Sequence, residues 1–150
     1  MNINEYNHKG SEEMSLIKVI KALSDETRLR ILNLLRQGEL CVCEIETILG
    51  ITQSNASRHL NKLTYANIVE FYKKAQYVYY RINEDTLKRY SFIKEILDNE
   101  LIREELYRTD LEKLRRYRES KLSCDDLRRN KVCFEEENQN LFIEQDNAYN

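Results

Sequence analysis

Tryptophan and proline are absent from this chain of 150 residues, and glycine occurs only three times. A sandwich or barrel uses such residues in its many turns, so an all-β fold is disfavoured and helices are expected. No apolar run approaches the roughly 20 residues that a membrane-spanning helix needs. The opening stretch MNINEYNHKGSEEMS has no apolar segment of the kind a secretion signal carries. A cytoplasmic location is therefore the expectation. Disulfides are rare there, so the four cysteines, Cys41, Cys43, Cys124 and Cys133, are expected as ligands or packing residues rather than cross-links. Catalytic patterns are also missing. There is no HExxH, no glycine-rich phosphate loop and no nucleophile–base–acid set, and nothing near Cys41 and His59 would support them as a dyad. An enzyme is not expected.

What is present reads as helices around one core. Residues Ser15 to Leu23 place Leu16, Ile17, Val19, Ile20 and Leu23 on a broad apolar face. Ser24 or Asp25 can cap a second helix, ETRLRILNLLRQG, which Gly38 can end. A third helix is predicted from about Cys41 to Leu49, stopped by Gly50. Thr52 can cap a fourth, TQSNASRHLNKLTYAN, with Ala56, Leu60 and Leu63 as its buried stripe. The period then changes. IVEFYKK and QYVYYRI are rich in β-branched and aromatic residues, and Lys73-Lys74-Ala75-Gln76 between them predicts the turn of a hairpin. From Asp85, Leu87, Tyr90, Ile93, Leu97 and Leu101 predict one long amphipathic helix that needs a partner. Thr109-Asp-Leu-Glu112 reads as the capping box of a helix from Asp110 to about Ser120. The domain reading is a flexible segment 1–14, a core domain 15–107, a helical extension 108–134 carrying Cys124 and Cys133, and an acidic, disordered tail 135–150.

Two short helices meeting at a glycine turn, followed by a hairpin, predict a mainly α winged helix-turn-helix fold with a small β-hairpin. The net charge is −2, yet residues 51–83 hold Arg58, Lys62, Lys73, Lys74 and Arg81 against the single acid Glu70. A basic face of this kind suits nucleic acid. In such a unit the second helix lies in the major groove. Gln53, Ser54, Asn55 and Arg58 are the candidates for base edges, since Gln and Asn pair with adenine and Arg with guanine. Ser57, His59 and Lys62 suit phosphates or the scaffold, and Lys73 and Lys74 the tip of a wing on the neighbouring backbone.

LSDETRLRILNLLRQGELCVCEI, LGITQSNASRHLNKL and YVYYRI together resemble the ArsR/SmtB family of metal- and metalloid-responsive repressors, over about Lys18 to Asn83. The resemblance implies a homodimer held by the first and C-terminal helices. It also implies operator DNA as partner, and release when a toxic ion binds; no cofactor is required. Cys41 and Cys43 resemble the family's arsenic sensors, whose stretch usually reads ELCVCDLC; here Glu46 stands at the last cysteine. The implied inducer is arsenite or a related soft ion. Trivalent arsenic prefers three thiolates, so Cys124 or Cys133 is expected to reach back. The alternatives are a cadmium- or lead-type sensor, in which four cysteines form a tetrahedral site, and a thiol redox sensor. The zinc and nickel pattern of the family needs histidines that 85–106 lacks. On a helix, residues two apart point about 200° apart. Gripping one ion with Cys41 and Cys43 is thus expected to distort the first turn beneath the DNA-reading helix.

Overall fold

The computed structural model describes residues 15–129 in full, and 131–134 and 141–144 as backbone strands. Helix α1 spans Leu16–Leu23, α2 Glu26–Leu35, α3 Val42–Leu49 and α4 Gln53–Tyr65. Strands β2 (Val69–Lys74) and β3 (Tyr77–Ile82) form the hairpin. A two-residue strand, β1 (Leu40–Cys41), joins its other edge, giving an antiparallel sheet in the order β1-β3-β2. β1 is too short for any alternation to reveal. Cys41 therefore ends a strand and stands at the N-cap of α3 in extended conformation, rather than inside the helix.

The helix-turn-helix follows from local chemistry. Gly50 closes α3 in the left-handed region, at φ 65°, where a side chain would be disfavoured. The N–H groups of Gly50 and Ile51 both return to the Glu46 carbonyl. The Thr52 hydroxyl then caps α4 by accepting from the Asn55 N–H at 3.2 Å. Ala56, Leu60 and Leu63 are fully buried, as their spacing requires. At the hairpin, Ala75 takes the left-handed conformation that glycine usually fills (φ 55°). Lys73 and Lys74 are the last residues of β2, so the turn proper is Ala75-Gln76.

Two expectations are corrected, and the packing of the last long helix adds a third observation. The stripe from Leu87 to Leu101 does not form one long helix. The chain makes α5 (Glu84–Arg89), breaks at Tyr90, and continues through α6 (Ser91–Glu95), a wide turn at Ile96–Glu100 and a tight one at Leu101–Arg103. The breaks let this segment curve over the protein's own core, where Leu87, Ile93, Leu97 and Leu101 are buried. Second, the next helix, α7, runs Glu105–Glu119. It begins well before Thr109, and Tyr107 on its first turns needs burial. Third, α7 crosses the 107/108 boundary and contributes Tyr107, Leu114 and Tyr117 to the same hydrophobic cluster as α2. The extension is thus packed into the core domain. It ends in α8 (Cys124–Arg129), and β4 (Lys131–Phe134) pairs antiparallel with β5 (Leu141–Glu144). The expectations for 1–14 and for the remainder of 135–150 lie outside the described residues.

Two polar joints fix the helices. The Arg30 guanidinium makes a two-pronged bond to the Asp110 carboxylate at 2.7 and 2.8 Å, and Asp110 is wholly buried. Beside it, the Asn33 amide donates to the Tyr107 carbonyl at 3.0 Å. At the other joint, Asp25 caps α2 by accepting from the Arg28 N–H. The buried Arg28 side chain donates to the Ala22 and Lys21 carbonyls at the end of α1, at 2.6 and 3.2 Å. Its guanidinium also lies 3.3 Å from Nδ1 of His59, which is buried at 5% exposure.

These joints yield two predictions. Replacing one member of a buried ion pair strands the other charge, so Asp110→Ala should cost roughly 3–5 kcal/mol, read as a lower urea midpoint at unchanged slope. Burial holds the His59 imidazole below its ordinary value, as do the neighbouring Arg58, Arg28 and Lys62 charges, while Asp25 opposes them. The unfolded chain therefore takes up the proton first. The stabilisation is complete above about pH 6.5 and shrinks as pH falls toward the lower folded value. Urea unfolding between pH 7.5 and 5.5 should show a steeper loss for the native protein than for His59→Gln.

Candidate functional site

Gln53, Ser54, Arg58 and Lys62 lie exposed on α4, away from its buried stripe. Asn55 is half-buried, and its side-chain oxygen accepts from the Arg58 guanidinium at 2.8 Å. That bond leans Arg58 along the helix toward its N-terminal turn. Ser57 is half-buried on the flank. His59 does not belong to this face: it packs inward against Arg28 and Asp25 and positions α4 on α2. The signal was in the sequence, because His59 sits three residues after Ala56 and four before Leu63, beside the apolar stripe. Lys73 and Lys74 are exposed at the end of β2. The face therefore combines hydrogen-bonding groups on a helix with basic groups on a hairpin, the pattern that reads a groove and its flanking phosphates.

The second cluster is made of sulfur. Sγ of Cys41, Cys43 and Cys124 lie within 4.8 Å of one another. Cys41 and Cys43 approach to 2.9 Å. They converge because Cys41 is extended and precedes the helix, while Cys43 is on its first turn. No unwinding of α3 is needed, which corrects the expectation that the pair would strain its first turn. Cys124 comes from α8, 80 positions after Glu44 in sequence, and the fold alone brings it here. Its sulfur is at bonding distance from Cys41, as in a disulfide, where cross-links were not expected. The two Cα atoms are 7.6 Å apart, however, wider than the roughly 4.4–6.8 Å of ordinary disulfides. One S–S bond also leaves the closeness of Cys43 unexplained. Three sulfurs drawn from three backbone positions fit a shared thiophilic guest. Cys133 falls in β4, and its side chain lies outside the described residues.

Glu44 borders the cluster. As a thiol, Cys124 donates to its Oε1 at 3.3 Å. Burial pushes the Glu44 carboxyl up to about 7, against the Cys41 N–H, the Arg118 charge and the Tyr117 hydroxyl, which favour the anion. Burial, helped by the Glu44 charge, likewise pushes the Cys43 thiol up to about 11. The Cys43 thiol thus keeps its proton at neutral pH, and a guest that needs its thiolate would release that proton. Sequence reading passed over Glu44, although its place three residues after the Cys41 cap is that of a capping-box acid.

The fold has counterparts. Residues 25–70 match the family described as bacterial regulatory protein, arsR family. The cadmium resistance transcriptional regulatory protein CadC homolog of Staphylococcus aureus is 39% identical over 77 residues, covering 51% of this chain and 64% of that protein. The arsenic resistance transcriptional regulator ArsR1 of Pseudomonas putida is 46% identical over 68 residues, covering 45% and 53%. This chain thus spans less than two thirds of the length of either. A homodimeric winged helix-turn-helix DNA-binding domain from Mycobacterium bovis superposes with a TM-score of 0.50 at 32% identity, over 61% of this chain and 91% of that one. Among the described residues, no helix is long and apolar enough to cross a membrane. The transcriptional repressor SdpR of Bacillus subtilis is 37% identical over 78% of its own length. With the glycine turn and reading helix inside the matched region, the chain belongs to the arsR family of bacterial regulatory proteins, which are regulators rather than enzymes.

Proposed function

We propose that this protein is a DNA-binding transcriptional repressor that leaves its operator when arsenite or a related soft ion binds Cys41, Cys43 and Cys124. The observation that carries the reading is the convergence of those three sulfurs within 4.8 Å, at the base of the helix-turn-helix. Thiolates are the ligands soft ions select, and three of them match the preference of trivalent arsenic. A bound ion supplies bonds that tie β1, α3 and α8 together.

Gln53, Ser54, Asn55 and Arg58 are the candidates for base edges, with Ser57, Lys62, Lys73 and Lys74 on the backbone. A second copy of the chain is the expected partner. Leu16, Ile17 and Ile20 leave an apolar face of α1 about half exposed, and Phe92 and Ile102 are exposed on the C-terminal segment. Such faces mark association sites. The ion is an inducer and no cofactor is required; a cytoplasmic location goes with DNA as the target. A second reading, a divalent cadmium- or lead-type sensor, is favoured by the Glu44 carboxylate beside Cys124. It would complete four ligands there, as Cys133 could instead.

The test is operator binding by fluorescence anisotropy, with arsenite and cadmium titrated separately. Cys41→Ser, Cys43→Ser and Cys124→Ser should each hold DNA within about threefold of the native protein and lose at least tenfold in inducer sensitivity. A Cys124→Ser protein that responds normally to both ions would show that the trigger lies elsewhere. Arg58→Ala should weaken operator binding by about 1–3 kcal/mol and relax sequence preference. Neutralising Lys73 and Lys74 should instead lower the salt slope by about one unit each, with preference unchanged.

A further inference from the structure

Helix α8 touches more than sulfur. The Asp125 carboxylate accepts from the Tyr77 hydroxyl and from the Gln76 amide, the latter at 3.3 Å. The Arg128 guanidinium lies 4.8 Å over the Tyr77 ring. Gln76 and Tyr77 are the turn and first strand residue of the hairpin tip, and Tyr77 is paired with Lys74. One short helix thus places an acid on the polar donors of the wing and stacks a cation beside it. Hydroxyl and amide donors next to lysines are the groups that bind phosphate oxygens on DNA. A carboxylate offers them the same two acceptors.

We propose that α8 is an intramolecular occupant of the wing tip, with Asp125 standing where an operator phosphate would sit, so that α8 and DNA compete for Gln76, Tyr77 and the lysines beside them. The inference rests on the reading of the hairpin as a DNA contact. Its geometry also explains how the sulfur site would be heard. Cys124 immediately precedes Asp125, and Cys41 pairs with Tyr79, two residues along β3 from Tyr77. Holding the Cys124 sulfur beside Cys41 and Cys43 therefore holds Asp125 on the wing. Between the end of α7 at Glu119 and the start of α8 at Cys124 lies a short tether. It keeps the competitor at an effective concentration of roughly millimolar or more. Weak contacts then suffice, and any added preference for the docked state shifts the balance against DNA.

The experiment uses the full, reduced chain. Hydrogen exchange at the amides of 75–78 reads docking directly, without ion or DNA. Asp125→Ala should speed that exchange several-fold and tighten operator binding up to about tenfold. Arg128→Ala should act the same way more weakly. Unchanged exchange overturns the proposal. So does weaker operator binding by Asp125→Ala, which would make α8 a helper of the wing. With arsenite as probe, Asp125→Ala should still bind it, seen by ultraviolet sulfur–arsenic absorbance, yet release DNA at least tenfold less readily. Release equal to that of the native protein overturns the proposal. If the native protein ignores arsenite, the ion assignment fails by itself, and the ion-free exchange and binding arm still decides for or against α8.

Discussion

Two backbone residues, Leu40 and Cys41, pair with Tyr80 and Tyr79 of the hairpin, and the arrangement of the sulfur cluster depends on that contact. It makes Cys41 the end of a strand and the cap of a helix at once. Its backbone belongs to the wing sheet, its position sets where α3 begins, and its sulfur meets those of Cys43 and Cys124. Without β1, a CxC pair at the start of a helix would point its thiols apart. With it, the pair closes on itself while α3 keeps its full set of hydrogen bonds. The signal from a captured ion need not be helix unwinding. On the proposed reading it would be the joining of β1, α3 and α8 through sulfur, in addition to the Cys124–Glu44 hydrogen bond that already links α8 to α3.

Around that point the molecule is stiff where the DNA face needs stiffness. Helix α2 supplies a continuous run of buried residues from Ile31 to Leu35. It is tied on one side to α7 through Arg30 and Asp110, and on the other to α1 and α4 through Arg28 and His59. Buried charges are costly unless fully paired, and they favour one arrangement over near alternatives. Reading helix, core and C-terminal helix therefore share one frame. By contrast, α8 holds the wing through exposed polar groups, which are easily exchanged for water or for another ligand.

Much of this frame was legible in the chain. Gly50, Thr52 and the Ala56–Leu60–Leu63 spacing defined the helix-turn-helix, because local conformation and burial agree there. The β-branched and aromatic residues of IVEFYKK and QYVYYRI pointed to the hairpin. The segment after Asp85 was misread for a physical reason. An apolar residue every three or four positions looks the same in one long helix and in short helices that bend over a core, and no proline or glycine marks the break at Tyr90. The start of α7 was masked by a good capping box at Thr109 that the structure does not use. β1 has no pattern to read, since two residues cannot alternate. In the site, Cys41 and Cys43 announced themselves, whereas the arrival of Cys124 and the contact of Asp125 with Tyr77, 48 positions away, are tertiary facts.

No thiol lies on α4. The candidate residues for base edges and those that gather sulfur occupy different elements. On the proposed reading, substitutions along Gln53, Ser54 and Arg58 would change which site is recognised while the sulfur chemistry stays as it is. On that reading, a lineage carrying this scaffold would acquire new target genes and new inducers largely through separate sets of substitutions.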